Sequence, residues 1–194
     1  TSTVLTGNAA TVGTGLWTEV SGDMNGAFVD ATNEGTVFTG TAGQTYTLRW
    51  TISNGVCSDS FDEVDITFDA NPTLANAGAD QQVCASGTTL AGNSPTIGTG
   101  IWTFSPSNTG VGGAITTPGS NTSGFTGTAG ETYMLRWTIS NGVCIDSFDE
   151  VTIQLDANPT VANAGSDQTG ASAICGTSTV LTGNAATVGT GLWT

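Results

Sequence analysis

The sequence predicts an all-β chain of tandem antiparallel β-sandwich domains joined end to end. Three observations carry this expectation. Tyr133, Leu135, Trp137 and Ile139 alternate with Met134, Arg136 and Thr138, the period of two that marks a half-buried strand. Glycine and asparagine return at short intervals as turn formers, and nothing in the 194 residues sustains a helical period. The chain also repeats itself.

Phe38–Pro72 returns as Phe125–Pro159 at a distance of 87 residues, and from Phe38 to Thr73 30 of 36 positions match the later copy. Thr177–Thr194 repeats Thr1–Thr18 letter for letter, 176 residues on. A unit near 88 residues, alternating in two types, fits the size of a domain with its own core. The expected division is 1–70, an immunoglobulin-like repeat lacking its first strand; 71–157, a complete repeat; and 158–194, the beginning of the next.

In the complete repeat, Asn71–Gly78 is a linker rich in helix breakers. Gln81–Cys84 and Thr88–Ala91 are two short first strands, and Gly98-Thr99-Gly100 is a turn. Ile101–Phe104 starts a strand with Trp102 facing inward. Ser105–Ser123 is rich in Pro, Gly and Asn and predicts loops and short edge strands. After Tyr133–Ile139, Asn141-Gly142 supplies a left-handed hairpin turn. The return strand places Cys144, Asp146 and Phe148 on one phase and Val151, Ile153 and Leu155 on the next. That odd step predicts a β-bulge at Asp149-Glu150, with a counterpart at Asp62-Glu63.

Composition narrows function. Sixteen acidic residues face two basic ones, Arg49 and Arg136, with no Lys and no His, for a net charge of −14. Such a surface repels phosphate backbones and anionic membranes, so neither nucleic acid nor membrane insertion is expected of this segment. Without His or Lys there is no Ser-His-Asp or Cys-His nucleophile and no Lys base, and no catalytic residue is expected. The pairs Asp62/Glu63 and Asp149/Glu150 share a site only if a bulge turns them to one side. Gly13–Gly15 and Gly98–Gly100 lack the third glycine and basic partner of a phosphate cradle and are read as turns.

Four cysteines, Cys57, Cys84, Cys144 and Cys175, lie one per half-period, without a CxxC pair or a histidine to suggest zinc. The expectation is a disulfide between Cys84 and Cys144 inside the complete repeat, with Cys57 and Cys175 pairing with cysteines of the same parent chain outside residues 1–194. Closing that loop would stabilise by about 4 kcal/mol and imply an oxidising, extracellular setting. No metal site or cofactor is assigned. The one ion worth weighing is calcium at the linkers, where Asp69, Asn71, Asn76 and Asp80 bracket one and Asp156, Asn158, Asn163 and Asp167 the other. Trp17, Trp50, Trp102, Trp137, Tyr46 and Tyr133 fall in core phase rather than lining a sugar-binding face. Asn121-Thr122-Ser123 is a formal glycosylation sequon, and Asp59-Ser60 and Asp146-Ser147 approach an O-glycosylation motif.

Short strands, frequent turns and inward tryptophans together point to a sandwich of immunoglobulin type. Ala77-Gly78-Ala79-Asp80-Gln81, its echo Ala164-Gly165-Ser166-Asp167-Gln168, and the Leu135–Gly142 hairpin resemble PKD-like and immunoglobulin-like repeats of giant Bacteroidota surface adhesins. Ile101–Phe104 keeps only the Trp-x-Phe of the PKD consensus. The resemblance implies a long secreted filament on the cell surface, serving attachment and, in the gliding-motility adhesins, gliding. Its partners would be neighbouring repeats of the same chain, surface polysaccharide or other filament subunits. The alternative is a carbohydrate-binding or accessory array of a large secreted enzyme.

Overall fold

Alternation decides the longest strands. In a computed structural model describing residues 1–194, Tyr46, Leu48 and Trp50 of one strand, and Tyr133, Leu135, Trp137 and Ile139 of its repeat, are all buried. Their neighbours in sequence face outward, as a pleated strand requires. The chain forms β1 (Ser2–Val4), β2 (Thr14–Ser21), β3 (Ala27–Phe28), β4 (Val37–Thr39), β5 (Gln44–Ser53) and β6 (Ser60–Phe68). It continues through β7 (Gln81–Val83), β8 (Gly87–Thr89), β9 (Thr99–Phe104), β10 (Ala114–Ile115), β11 (Gly124–Thr126), β12 (Thr132–Ser140) and β13 (Ser147–Leu155). One 3-10 turn, Gly170–Ser172, follows, and there is no α-helix. The protein is all-β.

Two compact units divide the chain. One holds Thr1–Ala75 with Ser94–Gly100 and Thr138–Ser147; the other holds Asn76–Asn93, Ile101–Trp137 and Phe148–Thr194.

In the first, sheets ordered β1-β4-β3 and β2-β5-β6 share one core of Leu5, Trp17, Phe38, Tyr46, Leu48, Trp50 and Phe68. Phe38 comes from one sheet and Tyr46 from the other, with ring centroids 5.1 Å apart and an edge-to-face tilt of 74°. Trp17 and Trp50 lie 5.2 Å apart at 40°. Two sheets packed face to face over such a layer make a sandwich.

The second unit repeats that packing. It holds the sheet β10-β11-β8 and most of the sheet β7-β13-β12-β9. Trp102 and Trp137 lie 5.1 Å apart at 39°, and Phe125 and Tyr133 lie 4.9 Å apart at 69°. The turn glycines also match. Gly13 and Gly98 take φ of 92° and 91°, and a Cβ there would lie 2.3 Å from Ser53 O or 2.4 Å from Ser140 O. They are turn positions that only glycine fills.

Three expectations are corrected. The sheets are not wholly antiparallel: β7 runs parallel to β13, with Gln81 opposite Ile153 and Val83 opposite Leu155. There is no bulge at Asp62-Glu63; the β5–β6 register runs unbroken from Gln44↔Phe68 to Ile52↔Ser60. Phe61 and Phe148 cause the misreading. They lie on the outer face, 58% and 56% exposed, so the apolar phase never shifts. A bulge occurs elsewhere, between Glu19 and Ser21 of β2.

The Cys84–Cys144 disulfide is the third correction. All four cysteines are free thiols. Cys84 follows Val83, which sits beside the C-terminal end of β13, whereas Cys144 precedes the N-terminal end of that strand. Nine strand residues span roughly 30 Å, and a disulfide tolerates a Cα separation of only about 7 Å.

Candidate functional site

Each sequence-singled group has a definite place. The six candidate aromatics are core residues: Trp17 and Trp50 are 5% exposed, and Trp102, Trp137, Tyr46 and Tyr133 are 1% or less. Only Trp17 and Trp50 reach the wall of a groove, and both are nearly covered.

The two cations are spent within their own sheets. Arg136 donates from Nε and Nη2 to Glu150 Oε1 at 2.9 and 2.8 Å, and its guanidinium lies 4.1 Å from the Phe148 ring centroid. Arg49 repeats the arrangement, donating from Nε to Glu63 Oε1 at 2.8 Å with Phe61 4.3 Å away. Every other charged side chain is acidic.

Several of those acids are engaged within the fold. Glu63 and Glu150 face their arginines, while Asp149 Oδ2 turns the other way and accepts from Ala77 N at 2.8 Å. The Glu150 carboxyl is held below its ordinary range, first by the Ser105 hydroxyl and then by Arg136. Asp23 is lowered by hydrogen bonding to Thr41 and then Asn25, and Asp30 by Thr32. These shifts run downward, the reverse of what a general acid at neutral pH needs.

Six of the eight linker side chains are likewise engaged. Asp69 accepts from Val143 N, Asn76 from Gly78 N, and Asp80 from Thr152 N. Asp156 accepts from the Gln82 and Gln154 amides, Asn158 from the Cys84 thiol, and Asn163 from Gly165 N. No three acidic, His or Cys side chains gather in a metal-binding group. In the sequon, Asn121 Nδ2 already donates to Gly92 O at 2.9 Å, so that side chain serves the fold.

What sequence reasoning missed is a groove of about 380 Å³ in the first unit, between β1 and β6. Trp17 and Trp50 line it together with Val4, Asn8, Val64 and Ile66. Its walls are mixed, with Asn8, Asp62 and Glu63 beside the apolar side chains.

Comparison with known proteins adds little to this. No family profile matches the chain, and no curated protein does. Among solved structures, the human desmocollin-1 ectodomain is similar over 77% of this chain at 10% identity, with a TM-score of 0.37. The chain matches only 36% of that ectodomain's length. So partial a superposition leaves the fold to be read from the sheets themselves.

Proposed function

We propose that this chain is a non-catalytic stretch of a secreted cell-surface filament, built of immunoglobulin-like or PKD-like repeats joined end to end. Its role on this reading is mechanical: to carry attachment and, as in the gliding-motility adhesins it resembles, gliding. The repeats are taken as 1–70, 71–157 and 158–194. The observation that carries the reading is the recurrence of one core. The Trp17–Trp50 pair and the Trp102–Trp137 pair match within 0.1 Å and 1° (5.2 Å at 40°, 5.1 Å at 39°). A module copied with its packing intact serves length and number rather than a single reaction. The acidic surface supports this, because molecules of charge −14 resist lateral clumping. Four of the five tryptophans are buried, which weighs against the rival reading of a sugar-binding array, since that needs exposed rings.

The test uses cells that display the protein and a fluorescent Fab raised against residues 71–157. Labelled filaments whose coating by Fab reduces attachment support the proposal. Labelling without any effect on attachment or movement overturns the adhesive part of it.

A further inference from the structure

The motif Ala77-Gly78-Ala79-Asp80-Gln81 carries the chain into β7 and ties it on two sides. Towards β13, Ala77 N donates to Asp149 Oδ2 at 2.8 Å, and Thr152 N donates to Asp80 Oδ1 at 2.8 Å. Towards β8 of the other sheet, Gln81 Nε2 donates to Thr89 O at 3.1 Å, and Gln81 Oε1 accepts from the Thr88 hydroxyl at 2.6 Å. Ala77 is 1% exposed, and Val151 and Ile153 of β13 are 2% and 0%.

The seam continues along the ladder. Gln81, Gln82 and Val83 lie opposite Ile153, Gln154 and Leu155. Beyond them, Asp156 N donates to Val83 O at 2.8 Å, and Gln82 Nε2 donates to Asp156 Oδ2 at 2.8 Å. Carboxylates cross the seam in both directions. Asp149 reaches from β13 to the incoming segment, and Asp80 reaches from that segment to β13.

Strand direction decides how such a seam meets tension. β7 and β13 run parallel, so their N-terminal ends lie together. Within residues 71–157 the chain enters at the start of β7 and leaves at the end of β13. Tension along the chain therefore pulls β7 towards its N-terminal end and β13 towards its C-terminal end. The strands are driven past each other lengthwise, and the evenly spaced bonds of a parallel ladder share the load at once. An antiparallel pair would put both loaded ends together, and its bonds would open one after another.

We propose that residues 77–83 are the load-bearing clasp of this repeat: their seam with β13 carries axial tension, and its parting limits the rate of forced unfolding. Asp80 and Asp149 set its strength, because a bond to a carboxylate is worth more than one between neutral groups. Arg136 and Glu150 join β13 to β12 on its other side and stay out of the load path. The use of such strength rests on the mechanical role proposed above; the seam itself does not.

The test stretches the full chain in optical tweezers through pairs of cysteine handles, every native cysteine not used as a handle being changed to serine. Handles at Leu74→Cys and Val161→Cys, 81% and 87% exposed in the parent, load β7 and β13 lengthwise. Handles at Leu74→Cys and the native Cys144 precede the two strands at their shared N-terminal end and peel them apart. Lengthwise loading is expected to need the higher unfolding force. Under one lengthwise load, Asp80→Ala and Asp149→Ala should each unfold about tenfold faster, the loss of one bond to a charged group. Glu150→Gln should change that rate far less. Equal forces in the two geometries, unchanged rates in both aspartate variants, or equal acceleration by Glu150→Gln would each overturn the clasp. The comparison of geometries leaves the seam intact, so it decides the matter even where an aspartate variant does not fold. Failure of the clasp would leave the adhesive reading to the Fab experiment, which does not depend on which seam bears load.

Discussion

Val64 and Val151 hold the same position in two copies of one strand, yet Val64 is 38% exposed and Val151 2%. The local sequences, FDEVDI and FDEVTI, are nearly identical. What differs is the segment ahead of each copy. Residues 76–83 cover β13, and nothing covers β6 in the same way. Burial here is a property of completion rather than of residue type.

Matched substitutions read that difference directly. Val151→Ala removes packed methyl groups and is expected to cost about 2 kcal/mol. Val64→Ala, beside an open groove, should cost less than about 0.5 kcal/mol. Urea unfolding of the two variants checks the contrast, and equal losses would mean that β6 is covered in solution.

Much of this was legible in the sequence, for reasons that particular residues show. The alternation in Tyr133–Ile139 gave strand and core together, because a period of two has one structural solution. The unbroken β5–β6 register was not legible, because Phe61 and Phe148 look like core residues until Arg49 and Arg136 are seen lying on them. The parallel β7–β13 pair was hidden because three residues carry no signature of strand direction. Thr1–Thr18 and Thr177–Thr194 mark the limit. The same eighteen letters include β1 and part of β2 in one place and form no strand in the other. Only Thr1–Thr18 has β4 and β5 to pair with.

The cysteines give a second prediction. With Cys84 and Cys144 at opposite ends of β13, peptide mapping of air-oxidised protein should find no link between them. Cys144→Ser should leave stability within about 0.5 kcal/mol of the parent, whereas loss of a loop-closing bridge would cost about 4 kcal/mol.

Acid should weaken the Arg136–Glu150–Ser105 cluster. The folded carboxyl lies below its ordinary value of 4.5, so its contribution is present above that pH and is lost as pH falls through the folded value. Glu150→Gln should therefore be less stable than the parent at neutral pH. The gap should narrow below about 4.5, as urea midpoints across pH 7 to 3 will show. A gap that stays constant would remove the ionised carboxylate from the explanation.

Calcium supplies a fourth check. Because six of the eight linker side chains accept from amide or thiol donors, millimolar calcium should leave the thermal midpoint where chelator leaves it. A binding ion would raise it in proportion to the logarithm of its concentration.

The central claim is that residues 71–157 act as one mechanical module, and stretching single molecules tests it most directly. Freed at roughly 3.5 Å per residue, those 87 residues give a step on the order of 300 Å less the folded length. The account predicts a discrete step of that size, unchanged by reductant. Featureless stretching would contradict the module, and a step that lengthens on reduction would restore the disulfide that the geometry of β13 forbids.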